Sequence, residues 1–391
     1  MGEVPEWDRE REHPEGLNTI LFLRTFPSQR ILMLHAMIMA GGGGTRFWPR
    51  SRNARPKQFL NFRGERSLLQ GTFDRISAVV PPERIWVITG EAYVAESIEQ
   101  LPELPQAQIV GEPFRRDTAP CVGLGAALVA ARDPNATVLV MPADHLIEPE
   151  REFHRAVHAA EQFAEEFPDA LFTFGIPPTF PSDGYGYIHR GPKSAERNGV
   201  PLFQVLEFKE KPAKELAEKY LASGEYDWNS GIFVWKAKAI LGELNASRPD
   251  IASACERIAL AWPDQTVFRK EYDAIKGTSI DFAVMQDAGK AGKVKVLSAP
   301  YKWDDVGSWL ALERNNPQDA HGNTVQGQSL TIDTTGCVIS ANPGQLIATI
   351  GLEDLIIIQD GNATLVARKQ DEARVKEIVD KLKAAKSGEY L

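Results

Sequence analysis

Apolar and polar positions alternate in blocks along the first half of the chain. Apolar runs of strand length stand at Leu34–Ala40, Ile85–Thr89, Gln108–Val110, Thr137–Met141 and Leu171–Gly175. Between them, at Ser67–Val80, Thr118–Arg132 and Glu152–Phe167, apolar residues recur at helical spacing. Strands that are apolar throughout are buried on both faces. The alternation therefore predicts an α/β domain with a Rossmann-like, mostly parallel mixed sheet flanked by helices. Ligands of such sheets bind beyond the carboxyl ends of the strands, so the residues that follow strands are the functional candidates.

After about residue 316 the pattern changes. Short apolar segments (Leu330–Ile332, Cys337–Ile339, Leu346–Ile350, Leu355–Ile358, Thr364–Val366) alternate with Gly, Asn, Asp and Pro turns. They predict a small C-terminal β unit whose short spacing suits a β-helix-like stack, closed by a charged amphipathic helix over Asp371–Lys383. Residues 1–31 follow no period and are expected to form a poorly ordered extension. The chain thus divides into that extension, a catalytic domain over 32–315, and the β unit with its helix over 316–391.

Charge and cysteine content narrow the function classes. The 391 residues carry a net charge of −9, and the pI is about 5.5. That balance argues against a general nucleic-acid or membrane binder, while leaving room for a small anion in a local basic pocket. Cys121, Cys255 and Cys337 are scattered without metal spacing, which predicts a reducing compartment and no disulfide framework or zinc site. No apolar run approaches the ~18 residues of a membrane helix. The acidic start (Glu3, Glu6, Asp8, Glu10) is unlike a secretory signal, so a cytoplasmic protein is expected.

The first predicted strand ends in Met39, Ala40 and the run Gly41, Gly42, Gly43, Gly44, followed by Thr45 and Arg46. This loop is neither the dinucleotide fingerprint nor a P-loop. Four glycines after a buried strand still let backbone N–H groups approach an anion. Arg46, Arg50, Arg52, Arg55 and Lys57 follow within a dozen residues and read together as a triphosphate cradle, with Arg46 and Lys57 the chosen catalytic cations.

The run from Gly41 to Pro49, then Ser51-Arg52 and Pro56-Lys57-Gln58-Phe59-Leu60, closely resembles the mannose-1-phosphate guanylyltransferases of the sugar-nucleotidyltransferase superfamily. Gly43 departs mildly from the small Ser usual there. The resemblance continues in order through Glu112-Pro113, Arg116 to Pro120, Pro142 to His145, Gly184 to Ile188, Phe208 to Pro212, Trp228 to Phe233, Ser279 to Ala283, Trp303 to Trp309 and Gly351 to Asp354.

The resemblance implies a nucleotidyltransferase fold and a set of roles. Asp144 and Asp305 would hold Mg²⁺, with Asp304 in reserve and His145 a packing neighbour. The glycine loop with Met39, Ala40, Thr45, Glu112, Thr118, Ala119 and Pro120 would hold GTP. Gly186, Glu210, Lys211, Asn229, Gly231 and Asp281 would hold the sugar phosphate, although Asp281 could equally cap a helix beginning near Phe282. The implied reaction joins GTP and mannose 1-phosphate to give GDP-mannose and pyrophosphate by direct in-line attack, in a homodimer. Another sugar or base is the neighbouring alternative. A non-catalytic subunit that senses nucleotide sugars is the reading from a different class; it would lack the carboxylates or loop cations, and Asp144, Asp305, Arg46 and Lys57 are all present. The chain ends soon after the β unit, so the isomerase activity of longer bifunctional relatives is not expected.

Overall fold

The computed structural model describes residues 34–391; the extension expected over 1–31 lies outside them. The first half runs β1 (Leu34–Ala40), α1 (Leu68–Ser77), β2 (Ile85–Gly90), α2 (Val94–Gln100), β3 (Ile109–Glu112), α3 (Thr118–Arg132), β4 (Thr137–Pro142), β5 (Leu146–Glu148), α4 (Glu150–Glu166) and β6 (Leu171–Ile176). It continues through β7 (Tyr187–Arg197), β8 (Val200–Lys209), α5 (Lys214–Ser223), β9 (Tyr226–Lys236), α6 (Ala237–Ser247), α7 (Pro249–Ala261), α8 (Gln265–Asp273), β10 (Val294–Ser298) and β11 (Lys302–Asp304).

One sheet carries the order β3-β2-β1-β4-β9-β6-β10-β8-β7. The expected parallel sheet spans β3 to β4. Beyond it β9 enters antiparallel between β4 and β6, and β7 and β8 form an antiparallel ladder at the far edge. That mixed half follows the alternating stretch, where strand pairing is not readable from period alone. Along β1, Ala36, Ile38 and Ala40 enter a core shared with α1 and α4, while Met37 enters the opposite core with α3, α6 and α7. Burial on both faces is why the strand has no polar alternation. Ser67 caps α1 by accepting from the Gln70 N–H, and the Gln70 side chain accepts from the Ser67 N–H, which sets the start of that helix. Helix α3 lies so close to β1 that a Cβ at Gly125 would fall 1.9 Å from Met37 Sδ.

The C-terminal unit is built from β12 (Thr324–Gln326), β13 (Gln328–Ile332), β14 (Val338–Ser340), β15 (Leu346–Ile350), β16 (Leu355–Asp360) and β17 (Ala363–Arg368). β12, β14 and β16 stack in parallel, as do β13 and β15, which is the expected β-helix-like arrangement. A 3₁₀ segment over Lys369–Arg374 leads into the closing helix Val375–Ala384. Among the described residues no helix is long and apolar enough to cross a membrane. The three cysteines are free and buried.

A third apolar cluster crosses residue 316. It joins Phe47, Trp48, Phe62 and Trp309 to Val338, Ile356, Ile358 and the closing helix's Val375 and Val379. Phe47 meets Trp309 edge-on with ring centroids 5.2 Å apart. The Trp309 Nε1–H donates to the Trp48 carbonyl at 3.1 Å, and the Trp48 Nε1–H donates to the Tyr390 carbonyl at 2.8 Å. The segment after the glycine loop is thereby clamped to the β unit. Trp309→Ala should destabilise the protein by about 3–5 kcal/mol, read as a fall in the urea midpoint. A loss under about 1 kcal/mol would show that the clamp is not carried by this ring.

Candidate active site

The glycine loop leaves the carboxyl end of β1, and a cavity of about 440 Å³ opens there. Met39, Ala40, Gly41, Gly42, Gln58, Glu112, Thr118 and Asp144 line it, together with Arg115 and Arg116. Gly43, Gly44 and Thr45 lie beyond that lining. Ala119 and Pro120 are buried in the first turn of α3 and support the wall instead of lining it. At Gly44, φ is +56° and a Cβ would fall 2.4 Å from Lys57 Cβ, so only glycine fits. Asp117 accepts from the Thr118 N–H at 2.8 Å while holding φ of +67°, a strained conformation at the mouth of the cavity.

Lys57 is the centre of the arrangement. It opens the short turn Lys57–Phe59 after Pro56 and is 7% exposed. Its ammonium lies 2.8 Å from Asp144 Oδ2 and donates to the Asp305 main-chain oxygen at 2.7 Å. The next residue, Gln58, donates to the Ala40 carbonyl at 2.7 Å and ties this turn to the end of β1. Burial alone would raise the Asp144 pKa, but the Lys57 ammonium and His145 more than offset it and hold the carboxyl below its usual range.

The two carboxylates are brought together by a small antiparallel pair. β5 follows Asp144 and His145, β11 precedes Asp305, and Leu146 faces Asp304 across the ladder. The same geometry separates the two neighbouring aspartates. Asp304 is held by both Nε and Nη2 of Arg314 at 2.6 and 2.9 Å, by Asn315 at 3.0 Å and by the Val306 N–H at 2.7 Å. Asp305 accepts from the Tyr185 hydroxyl at 2.8 Å and the Gly307 N–H at 3.0 Å, both at Oδ1. His145 accepts at Nδ1 from Trp303 Nε1–H at 3.1 Å, and burial lowers its pKa. It packs edge-on against Trp303 beside Asp144.

Across Tyr185 lies the second group. A Cβ at Gly186 would fall 2.6 Å from Glu210 Oε2, so this glycine admits the carboxylate. Glu210 pairs with Lys211 at 2.8 Å. Asn229 donates to Asp281 at 2.9 Å and accepts from Thr173 at 3.2 Å. Asp281 does not cap a helix: Ile280 occupies that position, and Asp281 opens a π-helical turn with its carboxylate on Asn229. Burial, followed by the nearby Glu210, pushes its pKa up to about 6. Gly231 holds φ of +68° in β9. Phe180, Trp228, Tyr185 and Trp303 form a continuous aromatic wall between the two groups, with centroid spacings of 4.8, 4.9 and 5.3 Å.

The cation-rich segment does not act as one cradle. Arg46 is exposed beside the loop and forms no hydrogen bond or ion pair with another described residue. Arg50, Arg52 and Arg55 line a different cavity against the β unit. Two cavity cations were not read from the sequence. Arg115 stands 3.0 Å from where a Gly43 Cβ would be, and Arg116 pairs with Asp273 at 3.0 Å. Their place between the Glu112-Pro113 pair and Thr118 was the available signal. Among the described residues no cluster of three or more His, Cys, Asp or Glu side chains could hold a metal by itself. Asp144 in the cavity wall, and Asp305 linked to it through Lys57, are hard oxygen ligands of the kind a divalent metal takes together with phosphates and water.

This architecture is matched by the nucleotidyl transferase family model over residues 35–322 and by the MannoseP isomerase/GMP-like β-helix domain over 327–382. The class is therefore a nucleotidyl transferase with a β-helix unit appended. A mannose-1-phosphate guanylyltransferase of Klebsiella pneumoniae is 40% identical over 365 residues, covering 92% of this chain and 76% of the relative. The enzyme of that name from Escherichia coli K12 is 39% identical, covering 90% and 74%. A crystal structure described as a mannose-1-phosphate geranyltransferase from Thermus thermophilus superposes with a TM-score of 0.80 at 34% identity, over 90% of this chain and all of that one. The chain belongs to the mannose-1-phosphate guanylyltransferase family.

One titration follows from the cavity. Burial pushes the Glu112 carboxyl up to about 7, against partial lowering by its bonds with Tyr272 and Cys121. The folded protein therefore keeps a proton that the unfolded chain loses above its ordinary value of 4.5. The resulting stability cost grows as pH rises from 4.5 and is complete above 7. Glu112→Gln should gain on the parent by up to roughly 2–3 kcal/mol between pH 5 and 8, measured as the difference in urea midpoints. A difference that is flat with pH would contradict this.

Proposed function

We propose that this chain transfers the guanylyl group of GTP to α-D-mannose 1-phosphate, forming GDP-mannose and pyrophosphate. The observation that carries the reading is the buried Lys57 ammonium between the Asp305 main chain and Asp144, the carboxylate that lines the glycine-loop cavity. Met39 to Gly41, Glu112 and Thr118 would flank ribose and base, with the triphosphate over Gly42 to Thr45. Glu210 and Asn229 would meet the sugar hydroxyls, and Lys211 the sugar phosphate.

A phosphate oxygen of the sugar phosphate forms the new bond to the α-phosphorus as the bond to pyrophosphate breaks in line. The attacking phosphate, with a second pKa near about 6, is mostly dianionic at neutral pH and needs no general base. Catalysis rests on positioning and charge neutralisation. Lys57 stabilises the α-phosphate as charge builds there, and Arg46 meets the leaving pyrophosphate. Asp144 and Asp305 fit Mg²⁺, which when bound supplies a Lewis acid and a template for the phosphate oxygens.

Two further parts of the reading are assembly and location. A cytoplasmic homodimer formed through the β unit would cover Leu330, Ile332, Leu346 and Ile350, which are at least half exposed on the β13–β15 pair.

Pyrophosphate release across four nucleoside triphosphates and several hexose 1-phosphates tests the substrates. GTP with mannose 1-phosphate should lead, and a clear preference for another pair would replace the assignment. Lys57→Ala and Arg46→Ala should each lose about 10²–10³ in kcat. Near-parental turnover in both would remove the loop from the mechanism. Glu210→Gln should weaken mannose 1-phosphate use about ten- to hundredfold with GTP binding intact. Lost GTP affinity with the mannose preference retained would move the sugar to another part of the cleft.

A further inference from the structure

A second cavity, of about 650 Å³, lies where the segment after the glycine loop meets the C-terminal β unit, and none of its lining residues line the glycine-loop cavity. Arg50, Arg52 and Arg55 line it from one side, with Asp360 the single carboxylate in its walls. In a chain of net charge −9, three guanidinium groups against one carboxylate is a marked local excess.

The three arginines are not equally engaged. Arg52 is a staple: it donates to the carbonyls of Pro49 at 3.0 Å, Asp360 at 3.1 Å and Glu389 at 3.2 Å, and to Asn362 at 2.8 Å. Arg50 makes one long bond, 3.4 Å to Gln326, and Arg55 one of 3.3 Å to the Phe59 carbonyl. A guanidinium has five donors, so most of theirs remain unused. Burial holds Arg50 below the ordinary arginine range, with Asp360 opposing and Arg55 adding to the effect. Arg50 is half-buried and Arg55 exposed, and two under-bonded cations facing one cavity are a favourable arrangement for a dianion.

The remaining walls are amides with a fixed sense. Asn61, Asn316 and Gln326 each give their NH₂ group to a backbone carbonyl, at 2.7, 2.9 and 2.7 Å; the Gln326 oxygen accepts from Arg50 and Ser340 at 3.4 Å, and the Asn61 and Asn316 oxygens remain as acceptors. The Asn342 side chain has no partner among the described residues. Acceptor-rich amides beside arginines suit a ligand with hydroxyl groups next to its phosphate.

We propose that this junction cavity is a second binding site, for a small phosphorylated polyol: phosphate on Arg50 and Arg55, hydroxyls on Asn342 and the neighbouring amide oxygens.

The test is calorimetric titration of the full chain with glucose 6-phosphate, inorganic phosphate and mannitol. Glucose 6-phosphate should bind, inorganic phosphate more weakly, and mannitol not at all. Arg50→Gln combined with Arg55→Gln should weaken glucose 6-phosphate binding at least tenfold, with melting temperature and basal pyrophosphate release kept. Asn342→Ala should weaken glucose 6-phosphate but not inorganic phosphate. Lys57→Ala should change neither, which makes the outcome independent of the substrate assignment above. The proposal is overturned if the parent does not bind glucose 6-phosphate at millimolar concentration, or if the double variant binds it unchanged. It is also overturned if Lys57→Ala abolishes the binding, or if inorganic phosphate binds as tightly as glucose 6-phosphate.

Discussion

A buried ammonium cannot stand alone, and in this protein the pairing of Lys57 draws three distant stretches of chain to one point. Its partners are the carboxylate after β4 and the main chain after β11. Its own Cβ occupies the space that a side chain at position 44 would need. The glycine loop, the Asp144 turn and the Asp305 turn are therefore mutually required. A charge placed in a partly desolvated site is worth more to a phosphate than one in water, provided the fold meets its desolvation cost in the absence of substrate. Asp144 meets part of that cost here, and its lowered pKa is the electrostatic record of it.

The position of Lys57 depends in turn on the β unit. The segment from Phe47 to Phe62 has no regular structure beyond single 3₁₀ turns, so its conformation must be fixed from outside. The aromatic cluster around Trp309, the tryptophan N–H bonds and the Arg52 staple supply that restraint. The C-terminal unit contributes no residue to the glycine-loop cavity, yet the loop cations rest on its packing. Irregular loops carried on rigid neighbours are the usual solution where chemistry needs accurate placement.

On the opposite side the site tolerates like charges. Glu210 and Asp281 lie close enough for one to raise the pKa of the other, and Asn229 donates to Asp281. Hydroxyl-rich ligands need acceptors, and a half-buried acceptor pair costs the empty protein electrostatic free energy that donors on a sugar relieve on binding. The aromatic wall through Tyr185 separates this acidic group from the phosphate side, and the Tyr185 hydroxyl holds Asp305.

Much of this was legible in the chain itself. Continuous apolar runs identified β1, β2, β4 and β6, because a strand covered on both faces has no room for polar alternation, but they did not reveal β9, which takes the middle of the sheet. The extent of β1 and the span of α3 follow from their sequences to the residue. The glycine run and Lys57 stood out because close backbone approach and phosphate charge restrict which residue types can serve, whereas Asp144 and the sugar-side blocks were assigned by resemblance. Tertiary structure decided the rest. It turned Arg50, Arg52 and Arg55 into a separate cavity, left Arg46 exposed and buried Lys57 against Asp144, since which side of an irregular segment a side chain takes is set by what packs against it. It brought Arg115 to Gly43 and Tyr185 to Asp305 across 72 and 120 positions. It also separated Asp305 from Asp304. Two adjacent aspartates look alike in sequence, but in the fold one is clamped by Arg314 and the other is held by the Tyr185 hydroxyl and the Gly307 N–H, because neighbouring residues on an extended chain point in opposite directions.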